Sequence, residues 1–324
     1  MIVNIFRHTQ VISIFIILCL CVLVWMGVSF EIYETEDFST NSLYNYVVNP
    51  IIKSVFAERI LVGLLVFWQC ILMNKIMVRQ KILSINSFFP ALFYFLLISI
   101  SPEVIHLSPA LLSISFILLA LKKILSSYLE KDAYSKIFDT AFLISLAGLI
   151  HPPFLVFIPL VWIGMSIFSQ VEWRHWILSI IAMVCPWFII YTVATFFSID
   201  QLNLISFFDF SLKENQVTNL NWGDFISLSA FGLLGVISFF ELIISLRQKN
   251  IKARKSYVLI LWILLLAMAY SYLSKDNFHT KLLIYAVPLS AIISNYFYFH
   301  KRSGWLNFLT FSLILILIAN HFLF

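Results

Sequence analysis

Three carboxylates stand close together after the first long apolar run of the chain. The run covers residues 11–30, and Glu34, Glu36 and Asp37 follow it directly. If the run crosses a membrane, these acids lie at the level of the lipid headgroups. A carboxylate there can take a proton from an acceptor hydroxyl, or hold a divalent cation against a lipid phosphate. Glu34, Glu36 and Asp37 are therefore the catalytic candidates, with a solvated acidic loop as the alternative.

Histidines, cations and one further acid form a second set of candidates, for substrate binding. Imidazole and carboxylate groups beside a membrane can serve as acids and bases, and lysine or arginine can clamp a phosphate. The predicted binding residues are Arg59, His106, His151, Lys275 and Asp276. A solvated loop charge or a turn residue is the structural alternative for each. Convergence of Asp37, His106, His151 and Asp276 on one cavity would favour the functional interpretation.

The sequence contains no familiar metal or nucleotide motif. The four cysteines lie inside apolar runs, and no pair of acids or histidines has ligand spacing on one predicted helix. A glycine-rich phosphate loop, a nucleophile elbow and an HExxH helix are also absent. We expect no metal site and no cofactor, apart from a divalent cation at the acids after the first run. The basic residues lie in short loops beside apolar runs, so we expect no nucleic-acid partner.

Composition places the segments that carry these residues in a membrane. Hydrophobic residues make up 61% of the 324 residues and charged residues only 11%, against about a quarter in ordinary soluble domains. The runs are apolar on every face, which favours helices over the alternating strands of a barrel. The predicted fold is an all-α polytopic transmembrane bundle, a single integral membrane domain over residues 1–324. Membrane lipids are its first partners.

Eleven apolar runs predict about eleven spans. Several are shorter than the roughly 20 residues of an ordinary span, so tilt or local thinning of the bilayer must help. Three prolines interrupt residues 85–121, where a re-entrant pair is the alternative. The longest outer loops, 31–59 and 198–224, are too short for a soluble core, and the first could carry an amphipathic helix. The runs lie near residues 11–30, 60–73, 85–100, 106–121, 137–150, 154–169, 176–197, 225–246, 256–273, 282–299 and 305–323.

The distribution of positive charge predicts the orientation of the bundle. With a cytoplasmic amino terminus and alternating loops, sixteen of the 21 lysines and arginines fall on the cytoplasmic side. That bias follows the positive-inside rule. All of the catalytic and binding candidates then share the outer face.

The stretch from Phe138 to Phe168 is the element around which the rest of the chain is organised. His151, Pro152 and Pro153 separate its two apolar halves. Proline lacks an amide donor and pushes the preceding residue out of the α region, so a helix normally ends at such a pair. We predict a helical hairpin with His151 in the turn, at the face of the membrane.

This layout resembles the GT-C superfamily of polytopic glycosyltransferases. The stretches NSFFPALFYFLLISISPE, Asn86 to Glu103, and GLIHPPFLVFIPLVW, Gly148 to Trp162, are similar to its core-helix pattern. The resemblance implies a polyprenyl-phosphate-linked sugar donor at the outer face. It also implies that an acid of the first outer loop, here Glu34, Glu36 or Asp37, is the base or the metal contact. The chain further resembles small multi-pass proteins of the bacterial inner membrane, which implies that location.

The leading prediction is an envelope protein that handles a lipid-linked substrate at the outer face, by glycosyl transfer. Two other functions remain open at this point. One is a non-catalytic subunit that anchors or assembles a membrane complex. The other is a carrier or flippase for a lipid or a small solute, which predicts a polar cavity between the spans.

Overall fold

Every regular element in the described part of this computed structural model is a helix. The structure describes residues 2–7, 11–27, 44, 55–80, 82–83, 87–100, 107–128, 130, 133–168, 172–196, 222–274, 276–300 and 303–323. The catalytic candidates Glu34, Glu36 and Asp37 lie outside these residues, as do His106 and Lys275. Most of the two long outer loops, including the predicted amphipathic segment, also lies outside them.

Twelve α-helices, labelled α1 to α12, follow one another along the described residues. A 3-10 segment, Pro152–Phe157, separates α6 from α7, and a second, Leu246–Gln248, follows α9. The bounds are Ile2–Arg7 for α1, Val11–Gly27 for α2, Val55–Arg79 for α3, Phe89–Ile98 for α4, Pro109–Ser126 for α5, Tyr134–Ile150 for α6, Pro159–Phe168 for α7, Trp173–Phe196 for α8, Trp222–Ser245 for α9, Ile251–Leu273 for α10, Phe278–Phe299 for α11 and Ser303–Leu323 for α12.

The helices α2 to α12 coincide with the predicted apolar runs. Within the described residues, six segments are long and apolar enough to cross a membrane: Phe56–Arg79, Pro109–Ser126, Trp173–Phe196, Trp222–Gln248, Ile251–Leu273 and Phe278–Phe299. Shorter apolar helical segments cover Ile12–Val24, Phe89–Ile98, Pro152–Phe168 and Gly304–Asn320. Length and composition thus identify a helical membrane protein. Several helices are longer than their apolar runs. Their end turns contain polar residues, which an apolar run does not include, as at both ends of α3.

The short helix α4 lies in the interior of the bundle. All ten of its residues are buried, and at about 1.5 Å per residue it is about half as long as the hydrocarbon core is thick. It packs between α3 and α11, with α2 and α12 nearby. Pro90 stands in its first turn, where a missing amide donor costs little. Other helices therefore shield its ends, which is the condition for a short segment within a membrane.

Aromatic rings connect α4 to α11. The rings of Phe93 and Phe297 lie 4.6 Å apart, and Phe89 lies 5.8 Å from the same Phe297 ring. All three side chains are fully buried. Their tilted arrangement is the one that aromatic pairs prefer.

The predicted hairpin at residues 138–168 has an unexpected second arm. The helix α6 ends at Ile150, one residue before His151, as the proline pair predicts. The six residues after His151, Pro152–Phe157, then form a 3-10 segment rather than the expected α-helix. The cause is local: neither proline has an N–H, so the first available donor is the Phe154 amide, which bonds to the His151 carbonyl three residues back.

Two glycines allow close packing around this hairpin. A Cβ at Gly148 of α6 would lie 2.2 Å from the Leu155 side chain, and a Cβ at Gly164 of α7 would lie 2.4 Å from Cγ1 of Ile124 in α5. Both distances are far below van der Waals contact. The two glycines therefore permit approaches that any larger residue would block.

Gly164→Ala is expected to lower the free energy of unfolding by about 1–3 kcal/mol, because the new methyl group overpacks the contact between α7 and α5. The matched control is Gly232→Ala on α9, where a Cβ would meet nothing within 4 Å. Thermal midpoints of the purified protein in detergent measure both effects. Equal midpoints for wild type and Gly164→Ala would contradict the prediction.

Contacts between helix ends divide the bundle into two ends. At one, here called the His151 end, His151 after α6 contacts Asp276 after α10. There Asn320 of α12 also donates hydrogen bonds to Asp224 at the start of α9, at 2.9 Å, and to the Ile100 carbonyl after α4, at 2.8 Å. The first contact joins the ends of α6 and α10, and the second set joins the end of α12 to the start of α9 and the end of α4.

The opposite end, here called the lysine end, includes the ends of α7 and α11 and the start of α10. Lys255 near the start of α10 donates to the Ile167 carbonyl at the end of α7, at 2.7 Å. Lys249, just before α10, donates to Asn295 near the end of α11. By these contacts α7 and α11 run in the opposite direction to α10.

A hydrogen-bonded polar cluster lies within the bundle. The Gln69 amide of α3 donates to Ser115 Oγ at 2.7 Å and to the Leu111 carbonyl at 2.9 Å, both in α5. Its oxygen accepts a hydrogen bond from the Tyr94 hydroxyl of α4 at 3.0 Å. These buried polar groups form hydrogen bonds with one another. The cluster therefore connects three helices at little free-energy cost for burying polar atoms.

Candidate functional site

His151, Tyr270 and Asp276 form a compact hydrogen-bonded cluster at the His151 end. His151 Nε2 lies 2.9 Å from Asp276 Oδ2 and 3.2 Å from the Tyr270 hydroxyl. The Tyr270 hydroxyl donates a hydrogen bond to the same Oδ2. One carboxylate oxygen therefore holds both an imidazole and a phenol.

Local backbone geometry presents the histidine at this position. His151 has φ −141° and ψ 100°, the extended conformation that a following proline imposes. Its amide still bonds to the Ala147 carbonyl at 2.9 Å, which closes α6. The imidazole is thus anchored at a rigid helix end, and the proline pair explains the sharp exit of the chain.

The end of α10 positions the other two members. Tyr270 stands in the last turn of α10, and the Ser274 amide caps that turn by bonding to the Tyr270 carbonyl at 2.7 Å. The chain leaves the helix in an extended conformation at Ser274, and Asp276 follows before α11 starts at Phe278. The carboxylate therefore lies beside the tyrosine that precedes it in sequence.

The cluster is buried on one side and accessible on the other. Tyr270 is fully buried, and its ring packs edge-on against Phe154 at 5.2 Å. The side chains of His151 and Asp276 are 13% and 17% exposed. A largely dry surrounding strengthens their electrostatic interaction, while a small part of each of these two side chains stays at the surface.

Asp276 is held in its ionised form. Burial alone would raise the pKa of its carboxyl group, but the charge of His151 and the hydrogen bonds from His151 and Tyr270 together lower it below the usual aspartate value. Since that usual value is about 3.9, the stabilisation is complete above it and is lost only as the pH falls through the lower, folded-state pKa. Asp276 is therefore an anion at neutral pH.

An anionic Asp276 determines which histidine nitrogen can react. In the neutral imidazole, the carboxylate favours a proton on Nε2, which leaves the lone pair on Nδ1. No hydrogen bond to Nδ1 occurs within the part of the chain that the structure describes. His151 is thus arranged as a base with an orienting carboxylate behind it, an arrangement used in proton abstraction.

The structure brings together two of the predicted binding residues, His151 and Asp276. Arg59 lies elsewhere, in the first helical turns of α3. Next to it, the Glu58 carboxylate accepts a hydrogen bond from the Leu107 amide at 2.9 Å, and the Tyr44 hydroxyl donates to the Leu107 carbonyl. Burial and the charge of Glu58 raise the pKa of Tyr44, so Tyr44 is a neutral donor there.

Sequence reasoning missed Tyr270 entirely. Nothing distinguishes it from the other tyrosines of the apolar runs, because its role depends on contact with His151, which lies far away in the chain. Its one local signal is its place in the last helical turn before Asp276. No group of three or more histidine, cysteine, aspartate or glutamate side chains capable of holding a metal occurs among the described residues.

A second ionisable cluster surrounds Lys249 at the lysine end. Its ammonium group lies 4.6 Å from the ring centre of Tyr257 and 4.3 Å from that of Phe299, and it donates a hydrogen bond to Asn295. The rings favour the charged form through cation–π attraction. Burial opposes it and lowers the pKa of Lys249 to about 8.

Lys249 should make stability depend on pH in the alkaline range. The unfolded chain binds this proton up to about pH 10.5 and the folded chain only up to about pH 8, so the free energy of unfolding should rise with pH between these values. Thermal midpoints of wild type and Lys249→Met, measured across that window, should diverge in favour of wild type. Lys252→Met serves as the control, and a constant difference between wild type and Lys249→Met would contradict the prediction.

Comparison with known proteins identifies a family but no activity. The profile of DUF6427, described as a family of unknown function, matches residues 3–324. No curated protein and no solved structure matches the chain. Because the match extends over nearly the whole sequence, the chain belongs to the DUF6427 family.

Proposed function

We propose that this protein handles a lipid-linked substrate at the outer face of the bacterial inner membrane, by glycosyl transfer. The observation that carries the proposal is the pair of His151 and Asp276, 2.9 Å apart and held by Tyr270 at one end of a membrane bundle. A base beside the headgroup region can reach a hydroxyl of an acceptor and the phosphate of a lipid carrier at the same time.

The proposed topology has eleven spans and a cytoplasmic amino terminus. In support of it, α2 to α12 lie on the eleven predicted apolar runs, and with loops that alternate between the two sides, sixteen of the 21 lysines and arginines fall on one side. The positive-inside rule assigns such an end to the cytoplasm. The His151 end is then external, and the acids Glu34, Glu36 and Asp37 belong to the same side.

The proposed reaction is a transfer with a balanced exchange of bonds. The Nδ1 atom of His151 takes the proton of an acceptor hydroxyl, and the hydroxyl oxygen forms a bond to the anomeric carbon of the donor sugar. The bond from that carbon to the phosphate of a polyprenyl carrier breaks, and the phosphate leaves with the electron pair. Asp276 stabilises the imidazolium that results. Arg59 or Lys275 is the proposed phosphate-holding cation, and Asp37 or Glu36 is the alternative base.

The test is a lipid analysis of a deletion strain of the native host. We expect a polyprenyl-phosphate-linked species to accumulate in the deletion strain and in one that carries His151→Gln, and to disappear with wild type. Glutamine keeps a hydrogen-bonding group toward Asp276 but cannot take the proton. Unchanged lipid-linked species in the deletion strain would overturn the lipid-linked substrate. Full rescue by His151→Gln would overturn the role of the histidine.

A second function, a subunit of a membrane complex, is favoured by the exposure of α8. Its main described packing partner is α6, and large apolar side chains such as Ile181 and Phe188 are exposed along it. Exposed apolar area of this extent suits lipid or a partner helix. Under this alternative, detergent extracts of native membranes should contain the protein in a larger assembly that persists in the His151→Gln variant.

A further inference from the structure

Lys249 lies in the turn between α9 and α10, but its side chain is packed against the bundle. The turn consists of the 3-10 segment Leu246–Gln248 and two further residues, and the residues on either side of Lys249 are exposed. The Lys249 ammonium group nevertheless lies 4.6 Å from the ring centre of Tyr257 in α10 and 4.3 Å from that of Phe299 at the end of α11. Most lysine side chains extend their charged group into water. An amine between two rings is therefore a distinctive feature of this turn.

Asn295 of α11 forms the third side of this environment, in a fixed orientation. Its Nδ2 donates to Ser245 Oγ at 3.4 Å, and the Ser245 hydroxyl donates to the Leu242 carbonyl at 3.0 Å, both in α9. The Oδ1 atom then faces Lys249 and accepts a hydrogen bond from Nζ. Because Asn295 is fully buried, loss of this donor would leave a buried oxygen unpaired. The three groups around the amine, Tyr257, Phe299 and Asn295, are here called the Lys249 cage.

The Lys249 cage determines where the lone pair of a neutral amine points. The face of an aromatic ring is electron-rich, and the Asn295 oxygen is an acceptor, so both attract N–H bonds and repel a lone pair. With its N–H bonds directed toward the cage, the amine directs its lone pair away from it. A neutral Lys249 is thus oriented as a nucleophile, with its lone pair away from the groups that hold it.

The partly buried position of Lys249 also makes the neutral amine abundant. Burial lowers the pKa of Lys249 to about 8. Between pH 7 and 8 the neutral fraction is then about a hundredfold or more that of an ordinary lysine. Only the neutral amine can attack an electrophile, and desolvation is one of the ways in which proteins activate a lysine.

The Lys249 cage discriminates among the products that a lysine nucleophile can form. An amide keeps one N–H for the Asn295 oxygen and brings no charge into the site. A neutral imine has no N–H, so it would leave that oxygen unpaired. A carbamate would place a negative charge against two ring faces and an acceptor oxygen. Formation of an amide is therefore the modification that this environment accommodates best.

We propose that Lys249 is an acylation site that accepts the acyl group of a thioester. The lone pair of Nζ attacks the carbonyl carbon, so that a C–N bond forms and the C–S bond breaks. The sulfur leaves with the electron pair and takes the proton that Nζ loses, which gives a neutral amide and a free thiol. The site lies at the lysine end, and the inference is independent of the transfer proposed at the His151 end.

The test measures the acetylation rate of each lysine in the purified full-length protein, by peptide mass spectrometry. The probe is S-acetyl-N-acetylcysteamine, a small neutral thioester, so charge attraction does not contribute to the rates. At pH 7.5 Lys249 should react about tenfold faster than the exposed Lys75 of α3, because its larger neutral fraction outweighs its lower basicity and partial burial. Its rate should rise with pH and level off above about pH 8.

Asn295→Asp is the variant that tests the Lys249 cage. A carboxylate of the same shape pairs with the ammonium group and raises the pKa of Lys249, so acetylation of Lys249 at pH 7.5 should fall about tenfold while Lys75 is unaffected. Tyr257→Phe is the matched control. It keeps the ring and removes a buried hydroxyl that has no hydrogen-bond partner among the described residues, so Lys249 should react as in wild type.

Two results would overturn the proposal. The first is acetylation of Lys249 in wild type that is no faster than that of Lys75. The second is an equal Lys249 rate in wild type and Asn295→Asp at equal thermal midpoints, which would show that the cage does not control the reactivity. The first comparison needs no variant, so it decides the proposal even if Asn295→Asp fails to fold.

Discussion

Asp276→Asn is expected to abolish rescue of a deletion strain at matched membrane abundance. The substitution removes the anion that orients His151 and that accepts a hydrogen bond from the Tyr270 hydroxyl. An asparagine amide can force the imidazole into the other tautomer, and loss of an orienting carboxylate lowers rates by about 10²- to 10⁴-fold. Growth, together with the level of the lipid-linked species, measures the effect.

The control for this variant is Asp139→Asn at the lysine end. Asp139 is also ion-paired, with Lys123 at 2.6 Å, but it is half-exposed and far from His151. Such an exposed pair contributes little to stability, so this variant should rescue fully. Full rescue by Asp276→Asn would contradict the assignment of the site.

The acids of the first outer loop provide an independent comparison. Under the GT-C resemblance, Glu36→Ala/Asp37→Ala should fail to rescue while it inserts normally. Under the geometry of the described residues, the base is His151 and this double variant should keep activity. Failure of both variants would indicate that the loop acids and the histidine act in one site at the outer face.

Phe93→Ala should cause a large loss of stability. The side chain is fully buried in α4 and packs 4.6 Å from Phe297 of α11. Comparable substitutions in soluble cores cost about 3–5 kcal/mol. Here we expect about 2–4 kcal/mol, because lipid replaces water around the bundle and only the packing contacts are lost.

Phe308→Ala on α12 is the matched control for this substitution. Its side chain is 65% exposed, so truncation creates no internal cavity and should leave the thermal midpoint nearly unchanged. Chemical denaturation or thermal melting in detergent measures both variants. Similar midpoints for Phe93→Ala and Phe308→Ala would show that α4 is not the packed centre of the bundle.

The sequence determined the class of the protein and the positions of its helices. Apolar runs and prolines are local signals, and they specify where a helix can exist in lipid and where it must end, as at Ile150 before His151. The same local chemistry pointed to His151 and Asp276 as individual candidates. The 3-10 segment after the proline pair was missed, because a hydrogen-bond shift of one residue leaves the apolar pattern unchanged.

Only the tertiary structure decided which candidates meet. His151 and Asp276 are 125 residues apart, and their pairing depends on how α6 and α10 pack. The role of Tyr270 and the complete burial of α4 depend in the same way on neighbouring helices. Helix ends are specified by residues adjacent in the chain, whereas a site between helices is specified by packing among distant residues. A periodicity read along one chain carries no information about that packing.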